Sequence, residues 1–368
     1  MRVAFDHQIF GWQEYGGISR YAYELASKLS TSFEQDVAIV SPIYVTKYLA
    51  NAPQQLKIFG LHVPAFKRSG RIYRAVNSLF AQQVISQFRP DIVHETYYAV
   101  KGVAPKNARV VVTVHDMIHE RFPEFFSQVS PTRREKAIAV ARADHVICVS
   151  EQTRRDLIEI LDVPPEKTTV VYHGLSLSVD PRIIGKNKSL ERPYLLYVGS
   201  RTGHKNFIGF LRAYASSKFL KNEFDVICFG GGGFSARERE IIKELSIADG
   251  RVRQISGNDE LLGSFYRNAR AFVYPSLYEG FGIPPLEAMS FGCPVVCSNV
   301  SSIPEVVGDA AVKFDPENQQ AMKAAIESVA ENDEVCASLV EKGNSRAGFF
   351  SWEQCARNTL DVYQKLNS

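Results

Sequence analysis

Short apolar runs alternate with amphipathic helical patterns along the whole chain. Apolar runs of three to six residues predict strands at 3–5, 37–40, 91–94, 110–114, 145–149, 170–172, 194–198, 224–229, 271–274, 294–297 and 312–314. Apolar residues at helical spacing predict the main helices, at 18–29, 71–88, 207–214, 237–245, 259–268, 318–331, 335–343 and 352–366. Strands that alternate with helices are typical of parallel, doubly wound α/β sheets. The chain is long enough for two such domains.

A polar stretch with Gly and Pro interrupts this alternation at 180–193 and predicts the linker. We expect an N-terminal domain over 1–183 and a C-terminal domain over 190–350.

The most informative stretch is 278–287, which follows the predicted strand 271–274. It carries Glu279, a Gly-Phe-Gly loop, two prolines that suit a first helical turn, and Glu287. Free N–H groups at a helix start favour an anionic ligand, and carboxylates accept hydrogen bonds from hydroxyl groups. The stretch therefore predicts a ligand with both phosphate and sugar hydroxyls, such as a nucleotide sugar.

The spacing of Glu279 and Glu287, with the sequence between them, resembles the signature of retaining glycosyltransferases of family 4. The resemblance implies an α/β GT-B fold, in which two doubly wound Rossmann-like domains face a central cleft and the last helix, 351–368, crosses back to the first domain. It implies that Glu287 holds ribose hydroxyls, and that Glu279 and the backbone of the residues Phe281, Gly282 and Ile283 hold the sugar.

A Gly-Gly pair, Gly16 and Gly17, lies between the first predicted strand and helix. Paired glycines let backbone N–H groups approach a phosphate or sugar, although most such pairs are turns. In the resembled family this loop lies beside the donor phosphates or the acceptor. Residues 5–10 and 16–21 also resemble the subset that builds bacterial polysaccharides from GDP-mannose or GDP-rhamnose.

A second strand–loop–helix junction carries Gly199, Arg201 and Lys205. Two bases beside a helix start suit a pyrophosphate, and the alternative is solvated surface charge. The resemblance assigns this pair to the leaving nucleoside diphosphate. Four glycines at 230–233 follow another strand, and the sequence leaves open whether they bind a ligand or form a flexible loop.

His115 ends the predicted strand 110–114, and His119 follows four residues later. This superficially resembles a zinc-protease helix, but a strand-end His115 does not share a helix face with His119. In the resembled family a histidine here contacts the donor sugar. The alternative is a hydrogen-bonded interior histidine.

Composition and charge limit the kinds of binding partner to expect. The net charge of +3 is too small to indicate nucleic-acid binding. The six scattered cysteines predict buried, reduced thiols, and with no signal peptide at the start they predict a cytoplasmic protein. No two aspartates are two residues apart, so no D-x-D pair is present to hold a divalent ion on the diphosphate. We therefore expect transfer without a metal ion or other cofactor, with Arg201 and Lys205 supplying the charge.

A basic segment, 67–74, leads into apolar residues at helical spacing. It suits peripheral contact with anionic lipid at the inner face of the membrane, or it is simply a solvated helix start. Lipid contact fits a lipid-linked oligosaccharide or glycan acceptor, as is common among similar enzymes. The oligomeric state is not predicted.

The resulting hypothesis is a retaining hexosyltransferase, with mannose from GDP-mannose as the preferred donor, in polysaccharide or lipopolysaccharide synthesis. The alternatives are a transferase that uses a UDP-sugar, an epimerase or phosphorylase of the same fold, and a non-catalytic nucleotide-sugar binder.

Overall fold

The computed structural model describes residues 1–66, 69–127, 130–175 and 192–368, which divide into two compact units. The first unit comprises Met1–Gly174 with Ser351–Ser368, and the second comprises Leu175–Phe350. The expected linker, 180–193, falls outside the described residues except for its last two positions, and so do the domain boundaries expected at 183 and 190. Lys67 and Arg68 of the basic segment also lie outside them.

The first unit is built on a seven-stranded parallel sheet. Its strands are β1 (Arg2–Phe5), β2 (Asp36–Tyr44), β3 (Lys57–His62), β4 (Ile92–Glu95), β5 (Arg109–Val114), β6 (His145–Cys148) and β7 (Thr168–Val170). Their order is β3-β2-β1-β4-β5-β6-β7, so the winding direction reverses between β1 and β4. Such a switch point is where ligands bind at the carboxyl edge of a doubly wound sheet.

Helices cover both faces of this sheet. They are α1 (Gly17–Thr31), α2 (Ser69–Phe88), α3 (Ile118–Arg121), α4 (Thr132–Arg142) and α5 (Glu151–Leu161). Alternate residues of β1 point to opposite faces: Phe5 packs in a cluster with Leu25 of α1, whereas Ala4 packs in a cluster with Ile85 of α2. Because both faces are buried, the strand reads as a continuous apolar run rather than as an alternating pattern.

The second unit repeats the plan with six parallel strands. They are β8 (Tyr194–Val198), β9 (Asp225–Phe229), β10 (Val252–Ile255), β11 (Ala271–Tyr274), β12 (Val295–Ser298) and β13 (Val312–Phe314). Their order is β10-β9-β8-β11-β12-β13, which places the switch point between β8 and β11. The helices are α6 (Phe207–Ser216), α7 (Lys218–Glu223), α8 (Ala236–Glu244), α9 (Asp259–Asn268), α10 (Ile283–Ser290), α11 (Ile303–Val307), α12 (Gln319–Ala330) and α13 (Asp333–Ala347).

The last helix, α14 (Trp352–Asn367), belongs to the first unit. The hydroxyl of Ser351 caps it by accepting a hydrogen bond from the Gln354 N–H at 3.1 Å. Its buried residues recur at helical spacing from Trp352 to Tyr363 and join the same apolar cluster as α1.

The prediction of two Rossmann-like α/β domains is confirmed. Two strands were not predicted as such, β3 and β10, and the helices α3, α4, α7 and α11 were also missed. β3 is an edge strand in which Gly60 separates Ile58 and Phe59 from Leu61, so no run of three large apolar residues marks it. The cysteines are all free, and five of the six are buried.

Candidate functional site

Two loops meet at the carboxyl edge of the second sheet, at its switch point. One loop follows β8 and the other follows β11, and these strands are neighbours in the sheet. The Leu277 N–H donates a hydrogen bond to the His204 carbonyl at 2.7 Å, which joins the two loops. The predicted residues Gly199, Arg201, Lys205 and Glu279 lie on these loops, and the adjoining 281–287 stretch continues from the second one.

Arg201 lies inside the unit and is bound on all sides. Its Nε donates to Glu238 at 2.6 Å, and its Nη atoms donate to carbonyl oxygens of the glycine loop 230–233, at 2.8 Å for Gly232 and 3.1 Å for Gly233. Its side chain is only 4% exposed and its guanidinium lies 4.9 Å from the Phe234 ring centroid. The charge of Arg201 is therefore balanced by Glu238, and the guanidinium holds the glycine loop in shape.

The glycine loop needs its glycines. Residues Gly230, Gly231 and Gly232 have φ values of 79°, 69° and 71°, in the left-handed region that side chains disfavour. A Cβ at Gly231 would also lie 2.6 Å from the Gly199 carbonyl oxygen. Left-handed backbone thus explains the first three glycines of this run, with a close backbone approach at Gly231, where the sequence alone left their role open.

Lys205 and Glu279 form an ion pair across the two loops, with Lys205 Nζ 2.6 Å from Glu279 Oε1. Lys205 Nζ also lies 5.7 Å from the Tyr274 ring centroid. Burial, and the nearby hydrogen-bonded Glu279, raise the pKa of Tyr274 well above its ordinary value, so its hydroxyl stays protonated. The pair places a cation and a carboxylate side by side, both partly open to solvent.

Two serines hold the loop that carries Glu279. The Ser301 hydroxyl accepts a hydrogen bond from the Glu279 N–H at 3.0 Å, and the Ser302 hydroxyl lies 2.9 Å from the Glu279 carbonyl and 2.8 Å from the Phe281 carbonyl. Gly282, the residue before α10, has a φ of 107°. Within the described residues no side chain caps this helix start, whose first turn contains two prolines without N–H groups. Ile283, the first residue of the helix, carries the N–H that remains before them.

Glu287 lies on α10, one helical turn after Ile283. The Tyr266 hydroxyl donates a hydrogen bond to Glu287 Oε2 at 3.2 Å. Burial, and the adjacent Glu287 carboxylate, raise the pKa of Tyr266 well above its usual value, so the tyrosine remains a donor that orients Glu287.

Gly16 and Gly17 lie at the carboxyl edge of the first sheet, where α1 begins. A Cβ at Gly16 would be 2.2 Å from Gln13 Oε1, which itself accepts a hydrogen bond from the Ser19 N–H at 3.3 Å. A Cβ at Gly17 would meet nothing within 4 Å among the described residues. A side chain at Gly16 would therefore have to displace the end of the Gln13 side chain, whereas Gly17 borders open space.

His115 follows β5 at the same edge and contacts α1. Its ring centroid lies 5.1 Å from that of Tyr21, edge-on, and 5.7 Å from that of His173, stacked. Burial lowers the pKa of His115 to about 4, although Asp116 opposes the shift. The imidazole is therefore neutral near pH 7 and can exchange hydrogen bonds with a neutral hydroxyl group.

Lys136 supports this histidine and was not singled out in the sequence. Its side chain is 1% exposed, and its Nζ donates to the Asp116 carbonyl and to Glu120 Oε2, both at 2.8 Å. Burial alone would raise the pKa of Asp116, but Lys136 and the N–H of Ile118 outweigh it and lower that pKa. Lys136 thus fixes the loop that begins at His115.

A buried polar chain connects the last helix to α1. His94 contacts the Tyr363 hydroxyl through Nδ1 at 2.5 Å and Thr113 Oγ1 through Nε2 at 2.8 Å. Thr113 Oγ1 lies 3.1 Å from the Tyr21 hydroxyl, and Tyr21 contacts His115. No sequence pattern marks this set of hydrogen-bonded residues, because its members come from four elements far apart along the backbone.

His119 does not join His115. It lies on α3 and stacks on Phe126 with a centroid distance of 4.0 Å. In the part of the chain that the structure describes, no group of three or more His, Cys, Asp or Glu side chains is arranged to hold a metal ion.

The described part of the basic segment begins α2. Ile72, Leu79 and Phe80 are exposed there, and they share the helix surface with exposed Arg71 and Arg74. Across the described ranges, every helix is too short or too polar to cross a bilayer.

Known proteins match this chain over nearly its full length. The family model described as Glycosyltransferase Family 4 matches residues 15–179, and the model described as Glycosyl transferases group 1 matches residues 180–346. The O-antigen chain mannosyltransferase B of Escherichia coli is 29% identical over 95% of this chain and 96% of that protein.

Solved structures share the fold. Sucrose-phosphate synthase from Thermosynechococcus elongatus has a TM-score of 0.77 at 20% identity, over 99% of this chain and 98% of that one. Anabaena HepE, solved in complex with UDP and glucose, has a TM-score of 0.72 at 17% identity, over 99% of both chains. Two consecutive family models together span residues 15–346. This chain therefore belongs to the glycosyltransferases described by these two models, family 4 and group 1, which are enzymes with the GT-B fold.

Proposed function

We propose that this enzyme transfers a hexose, with mannose from GDP-mannose as the preferred donor, to a hydroxyl group of a glycan or lipid-linked acceptor. The transfer retains the anomeric configuration and needs no metal ion. The observation that carries the proposal is the Lys205–Glu279 pair, at 2.6 Å, on two joined loops at the switch point of the second sheet. This is the position where doubly wound sheets bind nucleotides.

The chemistry of the pair suits a sugar diphosphate. The Glu279 carboxylate accepts hydrogen bonds from sugar hydroxyls, and the Lys205 ammonium faces the negative charge that develops on the departing diphosphate. Charge stabilisation of this kind acts on the transition state more than on the bound donor. Glu287, oriented by Tyr266, is assigned to the ribose hydroxyls. Gly199 and the N–H groups of Phe281, Gly282 and Ile283 border the same ligand.

In the proposed reaction the bond between the anomeric carbon and the diphosphate oxygen breaks, and the acceptor oxygen attacks from the same face. The proton of the acceptor hydroxyl passes to the departing diphosphate. We assign Arg201 to the shape of the glycine loop, because its guanidinium is already bound to Glu238 and to loop carbonyls. His115, neutral near pH 7, is assigned to a hydroxyl group of the donor sugar.

The choice of donor draws on relatives. The Escherichia coli protein that aligns over nearly the whole chain is an O-antigen chain mannosyltransferase, which supports mannose and polysaccharide synthesis. HepE was solved with UDP and glucose, so a UDP-sugar is the second candidate donor. A screen of GDP-mannose, GDP-rhamnose, UDP-glucose and UDP-N-acetylglucosamine separates these, with acceptor-dependent release of nucleoside diphosphate as the readout.

The Lys205→Ala variant tests the catalytic assignment. We expect kcat to fall by roughly 100- to 1000-fold, as when one stabilising donor is removed from an enzyme site. The unfolding temperature should change little, since the ion pair is partly open to solvent. Lys218→Ala, an exposed lysine of α7, is the matched control and should retain wild-type turnover. Near-normal turnover of Lys205→Ala would refute the assignment.

Metal independence has its own test. Turnover with the preferred donor should be the same in EDTA as in magnesium. Loss of activity in EDTA that magnesium restores would overturn this part of the proposal.

We also propose that α2 contacts an anionic membrane surface, where a lipid-linked acceptor would lie. Ile72, Leu79 and Phe80 supply exposed apolar contact, and Arg71 and Arg74 supply charge. Each base contributes on the order of 1 kcal/mol near such a surface. The protein should co-sediment with vesicles that contain phosphatidylglycerol but not with pure phosphatidylcholine, and Leu79→Glu should weaken that binding. Equal sedimentation with both vesicles, or none with either, would refute the contact.

A further inference from the structure

Two large aromatic side chains project from the segment between β1 and α1. Trp12 is 53% exposed and Tyr15 is 63% exposed. The other tryptophan of the chain, Trp352, is buried. Rings of this size normally contribute to a core, so two exposed ones within four residues call for an explanation.

Each exposed ring has an aromatic neighbour. Trp12 lies 5.3 Å from the ring of Tyr97, while Tyr15 lies 5.8 Å from the ring of Tyr48, edge-on. Tyr48 in turn stacks on Tyr23 at 6.0 Å. We call Trp12, Tyr15, Tyr48 and Tyr97 the aromatic platform.

The platform lies at the ligand-binding edge of the first sheet. Its members follow the carboxyl ends of β1, β2 and β4. These three strands are adjacent, and the winding switches direction between β1 and β4. Gly17, which borders open space, lies two residues beyond Tyr15.

The backbone under the platform is held in place. The N–H groups of Trp12 and Gln13 both donate to the Ile9 carbonyl, at 3.1 and 3.0 Å. The Lys47 N–H donates to the Glu14 carbonyl at 3.1 Å. The exposed rings are therefore mounted on a bonded turn, and a ligand would bind them at a small cost in conformational entropy.

Two ion pairs lie in this part of the chain. Lys47 Nζ lies 2.7 Å from Glu14 and 5.3 Å from the Tyr15 ring centroid. Arg20, on the next turn of α1, lies 4.0 Å from Glu24. This balance favours a neutral ligand over a diphosphate or an anionic lipid surface.

We propose that the aromatic platform binds a neutral hexose unit of the acceptor glycan. A sugar ring presents C–H groups on one face and hydroxyl groups around its rim. Tyr and Trp rings match this with an apolar face and a polar edge. The inference rests on the proposed transferase function, because that function supplies the acceptor class.

Tryptophan fluorescence tests binding without any need for activity. Because Trp352 is buried and Trp12 exposed, a ligand on the platform changes the emission of Trp12. The probes are an α-linked manno-oligosaccharide, maltotriose as a second neutral glycan, and GDP. Saturable quenching by a neutral oligosaccharide that is lost in Trp12→Phe supports the platform, whether or not the chain proves to transfer sugar. Quenching by GDP alone, or by none of the probes, overturns it.

Steady-state kinetics give the second measurement. In Trp12→Ala and Tyr15→Ala we expect acceptor KM to rise at least tenfold, while donor KM and the unfolding temperature stay at wild-type values. Phe349→Ala, an exposed aromatic of the second unit, is the matched control and should change none of these values. Unchanged acceptor KM in both platform variants refutes the proposal, even if the enzyme is an active transferase.

Discussion

Replacement of Arg201 separates two roles that an arginine near a phosphate site can have. If its charge acts directly on the diphosphate, Arg201→Lys should keep part of that effect and leave the fold intact. If the guanidinium instead shapes the glycine loop, as its contacts indicate, lysine is a poor substitute. An ammonium is a compact point charge and cannot reproduce a planar fork that reaches Glu238 and several carbonyls at once.

The size of the effect follows from these contacts. Removal of one partner from a buried ion pair costs roughly 3–5 kcal/mol. We expect the lower end, about 3 kcal/mol, because Glu238 keeps a second partner: it also accepts a hydrogen bond from the Ser235 N–H at 2.6 Å. In a domain of this size each kcal/mol lowers the unfolding temperature by about 2–4 °C, so Arg201→Met should lower it by about 6–12 °C.

Scanning calorimetry measures this shift, and Arg201→Lys should retain less than half of the lost stability. Glu238→Gln is the matched control, since it removes the counter-charge but leaves Arg201 bound to the loop. It should be milder than Arg201→Met. An Arg201→Met variant with the wild-type unfolding temperature but greatly reduced turnover would refute the loop role and favour direct contact with the diphosphate.

Two further predictions concern the first unit. Lys136→Met should destabilise that unit, because it leaves Glu120 buried without its cation. The double variant Lys136→Met, Glu120→Gln should recover part of the lost stability in urea unfolding, and a double variant no more stable than the single one would contradict this reasoning. His94 should make the protein less stable in acid. Burial lowers the pKa of His94 to about 3, whereas its value in the unfolded chain is 6.5. Between these two values the unfolded state binds more protons, so the free energy of unfolding falls as the pH drops below 6.5. The loss of unfolding free energy from this one group reaches about 2 kcal/mol at pH 5. In urea unfolding, the free energy should therefore differ less between pH 7.5 and pH 5 in His94→Gln than in the wild type. An equal difference in the variant and the wild type would refute this prediction.

The sequence predicted the parts of the fold and site that are local. Consecutive residues predict the strand before Glu279, the glycine turn and the helix that begins with prolines in its first turn. The structure contains β11, the turn and α10 in that order. Fully buried parallel strands are equally visible, because both faces require apolar side chains. The roles assigned to Glu279, Glu287 and the other site residues stay predictions.

Side-chain partners that are far apart in the sequence could not be predicted from it. Arg201 was correctly placed after a strand, but nothing nearby indicates that Glu238, 37 residues later, would bind it. Lys136 was missed for a related reason. A lysine on a helix is ordinarily expected to face solvent. Because α4 has almost no apolar face, no helical periodicity predicts either the helix or the burial of Lys136.

A contact between residues far apart in the sequence also explains why the first unit needs α14. Tyr363 reaches His94 across 269 residues, and His94 continues through Thr113 to Tyr21, which contacts His115. A hydroxyl group or imidazole buried without a partner costs stability, so each member of this chain of hydrogen bonds depends on the next. The last helix therefore does more than cover an apolar face of α1. It supplies the terminal hydrogen bond of a network that ends at Tyr21, the aromatic ring packed against His115, so the ordering of that histidine depends on α14.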